Sequence, residues 1–273
     1  MSGWTRERDR IQQTLVGKTG VNVLVVEGED DRQFFEVLLD KVAPGQWASR
    51  WAVGAANGKQ NVLRILDDQG AWLGIVDRDE WSMNAATAAQ NQRPGRLHIL
   101  PRFCIESYFI DPDELWDALP VAQQVRVPAG KPTLEAEIAG GLAEWVRHGA
   151  LWHVVNPLWD GLRAIGFKDA LLDKETAQND AAIKQKLAEW HAYLDPVTHF
   201  QAFATNLQIA NAAPRVEQFQ SWIHGKKFFK EHVTATLNGH LGQRSADGWM
   251  LLLRSTLPVP PDLAFLWAAM HLP

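Results

Sequence analysis

The chain has 273 residues, 46% hydrophobic and 22% charged, with a net charge of −5; this composition fits a globular protein with a sizeable core and excludes fibrous, low-complexity and disordered classes. Its longest mostly apolar runs, Val21 to Val26 and Trp249 to Leu253, fall far short of the ~20 residues a membrane span needs, and no apolar stretch follows the early charges Arg6, Arg8 and Arg10, so neither membrane nor secretion is expected. The single Cys104 rules out an internal disulfide and predicts a small buried side chain in a cytoplasmic protein.

In chain order, the β-branched run Val21 to Val26, ending at Glu27-Gly28, predicts a buried strand. Residues 30–39 place Phe34, Phe35, Leu38 and Leu39 at helical spacing, with Asp30 or Asp31 able to cap the first turn. A strand at Trp51 to Val53, a helix at Asn61 to Leu66 and a strand at Ala71 to Val76 complete a βαβαβ series, which predicts a parallel sheet. Arg96 to Leu100 reads as a fourth strand, closed by Pro101, and Ile105 to Ile110 as a further apolar stretch. Beyond it, helical spacing over 133–148, 157–166, 178–193, 214–222 and 226–241 predicts a mainly helical remainder. The expected fold is thus an α/β parallel sheet flanked by helices. The expected division is a catalytic domain at 1–120, including an N-terminal helix, and a helical domain at 121–273. Trp145, Trp152 and Trp159 fall seven apart; core packing is the expected use, base stacking the alternative.

The chemistry gathers at strand ends. Glu27 follows the first strand and Asp77 the third, so both emerge at the carboxyl edge, where open α/β sheets bind ligands. Asp77 and Asp79, two apart in an expected extended turn, would point to one side. Glu29, Asp30, Asp31 and Glu80 crowd the same edge, with Arg32 and Arg78 the nearby bases. Oxygen ligands without a His or Cys cluster suit Mg²⁺ or Mn²⁺. Residues 1–120 hold 13 Lys/Arg against 18 Asp/Glu, while 121–273 hold 14 of each, so the excess acid lies where a cation would sit. A basic footprint for nucleic acid is confined to 215–254, with six Lys/Arg against three Asp/Glu.

Val26-Glu27-Gly28-Glu29-Asp30-Asp31 followed by Asp77-Arg78-Asp79 resembles the Toprim signature of topoisomerases, bacterial primases and Old-type nucleases, over roughly residues 20–110. With Asn57-Gly58-Lys59, Ile105-Glu106-Ser107-Tyr108 and Gly225-Lys226-Lys227, the chain looks like a Toprim-like family long known only as a domain of unknown function. Some members are effectors encoded beside an ABC-type ATPase in phage defence, including the nuclease subunit of the phage anti-restriction-induced system. The resemblance implies a Mg²⁺- or Mn²⁺-dependent nuclease acting on RNA, tRNA included, or DNA, working with an ATPase partner in abortive infection. It implies Asp77 and Asp79 as the main metal ligands and Glu27 as a ligand or general acid–base. Asp31 and Glu106 would be further ligands and Lys226 a phosphoryl-stabilising cation.

Each assignment has a plainer counterpart. Glu29 and Asp30 suit a solvated helix N-terminus, Glu106 pairing with Arg102 is an alternative, Lys226 can instead be an ordinary exposed lysine, although the basic segment 215–254 supports it, and Lys227 is a weaker candidate for touching a substrate phosphate. Gly54 to Lys59 is not a Walker A loop, because its glycine spacing is one short and Gln60 replaces the Ser/Thr; Lys59 is either a phosphate contact or a turn lysine. The nine His lack zinc-ligand spacing. Two other functions compete: a non-catalytic, metal- or nucleic-acid-binding regulatory subunit of the ATPase complex, and a receiver- or phosphatase-like domain, against which Glu27-Gly28 stands. A homodimer is the expected active form.

Overall fold

The computed structural model describes residues 3–16, 20–79, 81, 83–167 and 178–273; Glu80 lies outside them. Four strands, β1 (Asn22–Val26), β2 (Trp51–Ala55), β3 (Leu73–Val76) and β4 (Leu97–Ile99), form an all-parallel sheet in the order β2-β1-β3-β4. The helices at its flanks are α1 (Gly3–Ile11), α2 (Glu29–Val42), α3 (Lys59–Asp68) and α4 (Met83–Gln92). A 3-10 turn, Ile105–Tyr108, follows β4.

The remainder is mainly helical, as expected: α5 (Pro112–Ala118), α6 (Val121–Gln124), α7 (Lys131–Gly140), α8 (Leu142–Val155), α9 (Pro157–Ala164), α10 (Asp180–Tyr193), α11 (Pro196–Ala212), α12 (Arg215–Glu217), α13 (Gly225–Phe228), α14 (Thr234–Leu241), α15 (Ala246–Thr256) and α16 (Ala264–Ala269). Of these, α5, α6, α11, α15 and α16 lie outside the segments that the spacing marks. The segment expected as one helix over 133–148 is two, broken at Gly141, because glycine carries the largest backbone-entropy cost within a helix. No described helix is long and apolar enough to cross a membrane.

The chain forms two compact units. The first comprises 1–141, 219–221 and 225–273, the second 142–218 and 222–224. In the first, the strands are almost entirely apolar because helices cover both faces of the sheet. Val23, Val25, Val62, Ile65 and Leu66 share one cluster with Ile11, and Leu24 and Val26, pointing the other way, are also fully buried. Phe34 of α2 packs against Tyr108 and Phe109, with ring centroids at 5.5 and 6.2 Å. This ties the 3-10 turn to the helix that follows β1.

In the second unit α8 packs on α11 through Ala150, Val154 and Phe203. Asp195 caps α11 by accepting from the Thr198 N–H at 2.9 Å. The core placement expected for the three spaced tryptophans does not hold: Trp145 and Trp152 are half-buried and Trp159 is exposed. Trp145 contacts His148 and Trp152 contacts His224, both edge-on.

Candidate metal centre

Strands β1 and β3 are neighbours, yet β1 leads outward to β2 on its other side. Their carboxyl ends therefore flank the point where strand order reverses, the place where open α/β sheets form a crevice. Glu27 leaves β1 and Asp77 leaves β3 at this point. The Asp77 N–H donates to Glu27 Oε1 at 2.8 Å, fixing one carboxylate against the backbone that carries the other.

One ligand oxygen from each of Glu27, Asp77 and Asp79 lies within 4.8 Å of the others. The turn carrying the two aspartates is not extended as expected. Asp79 has φ 47°, a left-handed conformation that Asp tolerates better than most side chains, and its N–H donates to Phe103 O at 2.8 Å. Bending the chain here, rather than alternating side chains along it, brings Asp79 to the group.

Asp31 and Glu106 line the adjoining cleft of about 280 Å³, together with Glu27, Glu29, Asp30 and Lys226. Asp31 caps α2: its Oδ2 accepts from the Gly28 N–H at 2.7 Å. Glu106 does not pair with Arg102, which instead bonds Glu114 and Asp262. A buried Glu106 oxygen, Oε2, has no hydrogen-bond partner among the described residues.

Two lysines offset this acid. Lys59, at the start of α3, places Nζ 2.6 Å from Asp79 Oδ2 and 4.0 Å from Glu27 Oε1; its ammonium also lies 4.6 Å from the centre of the Trp81 ring. The preceding turn needs Gly58, whose φ of 123° strains any other residue. Lys226 Nζ lies 3.3 Å from Asp77 Oδ2. Its position depends on Gly225, where a Cβ would come within 2.7 Å of Cys104 Sγ and 2.8 Å of Ser107 Oγ. Lys227 beside it is exposed. The sequence signal for Lys226 was its basic segment and motif; for the Lys59–Asp79 pair it was only the Asn57-Gly58 turn, and for Trp81 there was none.

The electrostatics follow from burial. Asp77, 3% exposed, is pushed well above the ordinary carboxylate range by desolvation and by Asp31, with Lys226 opposing. Burial raises Glu27 to about 7 against an ordinary 4.5, with Lys59 opposing; burial raises Asp31 to about 6, with Lys226 opposing; burial also raises Glu106. Desolvation works against the charge on Lys226, but Asp77 and Glu106 outweigh it and hold the ammonium above the ordinary lysine range. An all-oxygen carboxylate set that resists full ionisation fits a hard divalent cation, which would reverse these shifts.

A pH dependence follows. Carboxyls raised on folding stabilise the protein below their unfolded values, near 4, and that contribution is lost as pH rises through about 6 to 7. The rise of Glu27 from 4.5 to about 7 corresponds to about 3 kcal/mol. In EDTA the melting temperature is therefore expected to fall between pH 5 and pH 8, and Mg²⁺ to raise it more at pH 8 than at pH 5. A Mg²⁺ effect equal at both pH values in differential scanning fluorimetry would contradict the assignment.

No family model matches the chain and no curated protein matches it, so the functional reading rests on this geometry and on the motif resemblance.

Proposed function

We propose that the chain is a Mg²⁺- or Mn²⁺-dependent nuclease hydrolysing phosphodiester bonds of RNA or DNA. The observation that carries the reading is the convergence of Glu27, Asp77 and Asp79 at the ends of neighbouring strands, with Lys226 at its edge. When bound, the cation would lower the pKa of a coordinated water and stabilise charge on the phosphoryl oxygens. Asp77 and Asp79 would hold it. Glu27, which accepts from the Asp77 N–H at 2.8 Å, would serve as a further ligand or as the general acid–base. Lys226, protonated and half-exposed, faces the cleft and can neutralise charge developing on a non-bridging phosphate oxygen. The motif resemblance adds that such a nuclease would be a cytoplasmic effector of abortive infection, restrained by an ABC-type ATPase and active as a homodimer.

A second reading, a non-catalytic regulatory subunit that only binds metal or nucleic acid, is favoured by one observation: Lys59 and Lys226 already balance two of the carboxylates. A cleavage panel of tRNA, rRNA and plasmid in Mg²⁺ and Mn²⁺, with and without the ATPase partner, separates the two. The parent is expected to cut at least one substrate and Glu27→Ala to cut it at least about a hundredfold more slowly. Equal cutting by both, or none by the parent under any condition, would favour the second reading.

A further inference from the structure

Lys59 occupies the centre in a way that the nuclease reading does not use. Its ammonium touches Asp79 at 2.6 Å and stands 4.0 Å from Glu27, so it faces two of the three carboxylates that converge there; Lys226 forms its ion pair with the third, Asp77. A divalent cation bound between these oxygens would compete with that ammonium for the same lone pairs and the same space. The Lys59 side chain is 14% exposed, so solvent screens the competition only partly.

The backbone beneath Lys59 is fixed, whereas its side chain reaches the carboxylates through a flexible stem. The Gly58 N–H donates to Glu27 O at 2.8 Å, pinning the turn to the end of β1, and Lys59 opens α3. Four rotatable side-chain bonds then let the ammonium leave Asp79 by rotamer change alone. The Trp81 ring face already lies 4.6 Å from Nζ, so the ammonium keeps a favourable contact when Asp79 takes another cation.

We propose that Lys59 is the resident counter-ion of the centre: Asp79 exchanges it for the divalent cation, and the released ammonium, sheltered on Trp81, is presented to the phosphate of the incoming strand. The proposal rests on the metal-dependent reading, but it assigns Lys59 two alternating partners and makes metal loading the event that exposes a phosphate-binding cation. A lysine that merely fills a turn, or one that binds phosphate whatever the metal state, would behave differently.

Mass spectrometry of lysine acetylation on the intact wild-type chain tests the exchange without a variant. Labelling of Lys59, relative to exposed Lys227, is expected to rise severalfold when Mn²⁺ is added to metal-free protein. Titration of Mn²⁺ supplies the second readout. Lys59→Met is expected to bind Mn²⁺ roughly tenfold or more tightly than the parent, and more tightly than Lys226→Met, which removes an equal charge without vacating the space among the carboxylates. Mn²⁺ binding to the parent with unchanged or reduced Lys59 labelling would overturn the exchange and leave the nuclease reading intact. Equal gains from the two variants would also overturn it, since charge alone would then explain them. Absence of Mn²⁺ binding in the parent and both variants would remove the exchange and the metal-dependent reading together.

Discussion

Asp77→Asn is expected to lower cleavage by about three orders of magnitude while raising the melting temperature in EDTA above pH 7. The two effects have one source. Asp77 is 3% exposed, and its ionised form is disfavoured by burial and by Asp31, Asp79 and Glu27, with Lys226 the opposing cation. Asparagine keeps the shape and removes the charge, which relieves the metal-free protein of a crowded anion. The same change deletes a principal cation ligand, so Mg²⁺ should no longer raise the melting temperature. Opposite signs on stability and activity would mark a residue held against the preference of the fold for the sake of its ligand. Cutting at the parental rate, or a lower melting temperature in EDTA, would refute this account of Asp77.

Arg102→Ala carries the largest expected loss of stability, about 2–3 kcal/mol, below the range for a wholly buried ion pair because its acidic partners are partly exposed. Arg102 is 3% exposed. Its guanidinium reaches Glu114 with both terminal nitrogens, Asp262 at 2.8 Å and Ser107 O at 3.3 Å, and its carbon lies 3.9 Å from the Tyr108 ring centre. Removing it strips the cation from Glu114 and Asp262, whose side chains are 36% and 29% exposed, and loosens the turn that carries Glu106. Urea denaturation measures the loss, and a change below about 1 kcal/mol would place Arg102 with the weak surface pairs.

The parallel sheet and the positions of Glu27 and Asp77 were legible in the sequence for the same reason. Strands covered by helices on both faces read as short β-branched runs, and whatever follows such a run sits at the sheet edge. Position along a strand says little about the turn beyond it, which is why the left-handed Asp79 was read as extended. Residue spacing was also silent on α11. Its buried Phe203 and Ala210 alternate with exposed Val197, Phe200 and Ile209, so apolar residues surround the helix and no single stripe betrays it. Pairs such as Arg102–Asp262, 160 residues apart, have no local signature, because only folding makes them neighbours. Lys59 was visible as a turn lysine, but its partner, 20 residues on, was not.

The return of 225–273 to the first unit has a consequence for how the protein is made. Lys226 is 149 residues downstream of Asp77, and at roughly 5–20 residues per second a ribosome spends many seconds between the two. During that interval the nascent chain carries the acidic cluster and the Lys59 that balances part of it, but neither Lys226 nor the Asp262 that anchors Arg102. The order of synthesis thus withholds the cleft cation until most of the chain has been translated, so a prematurely terminated product would lack the complete centre.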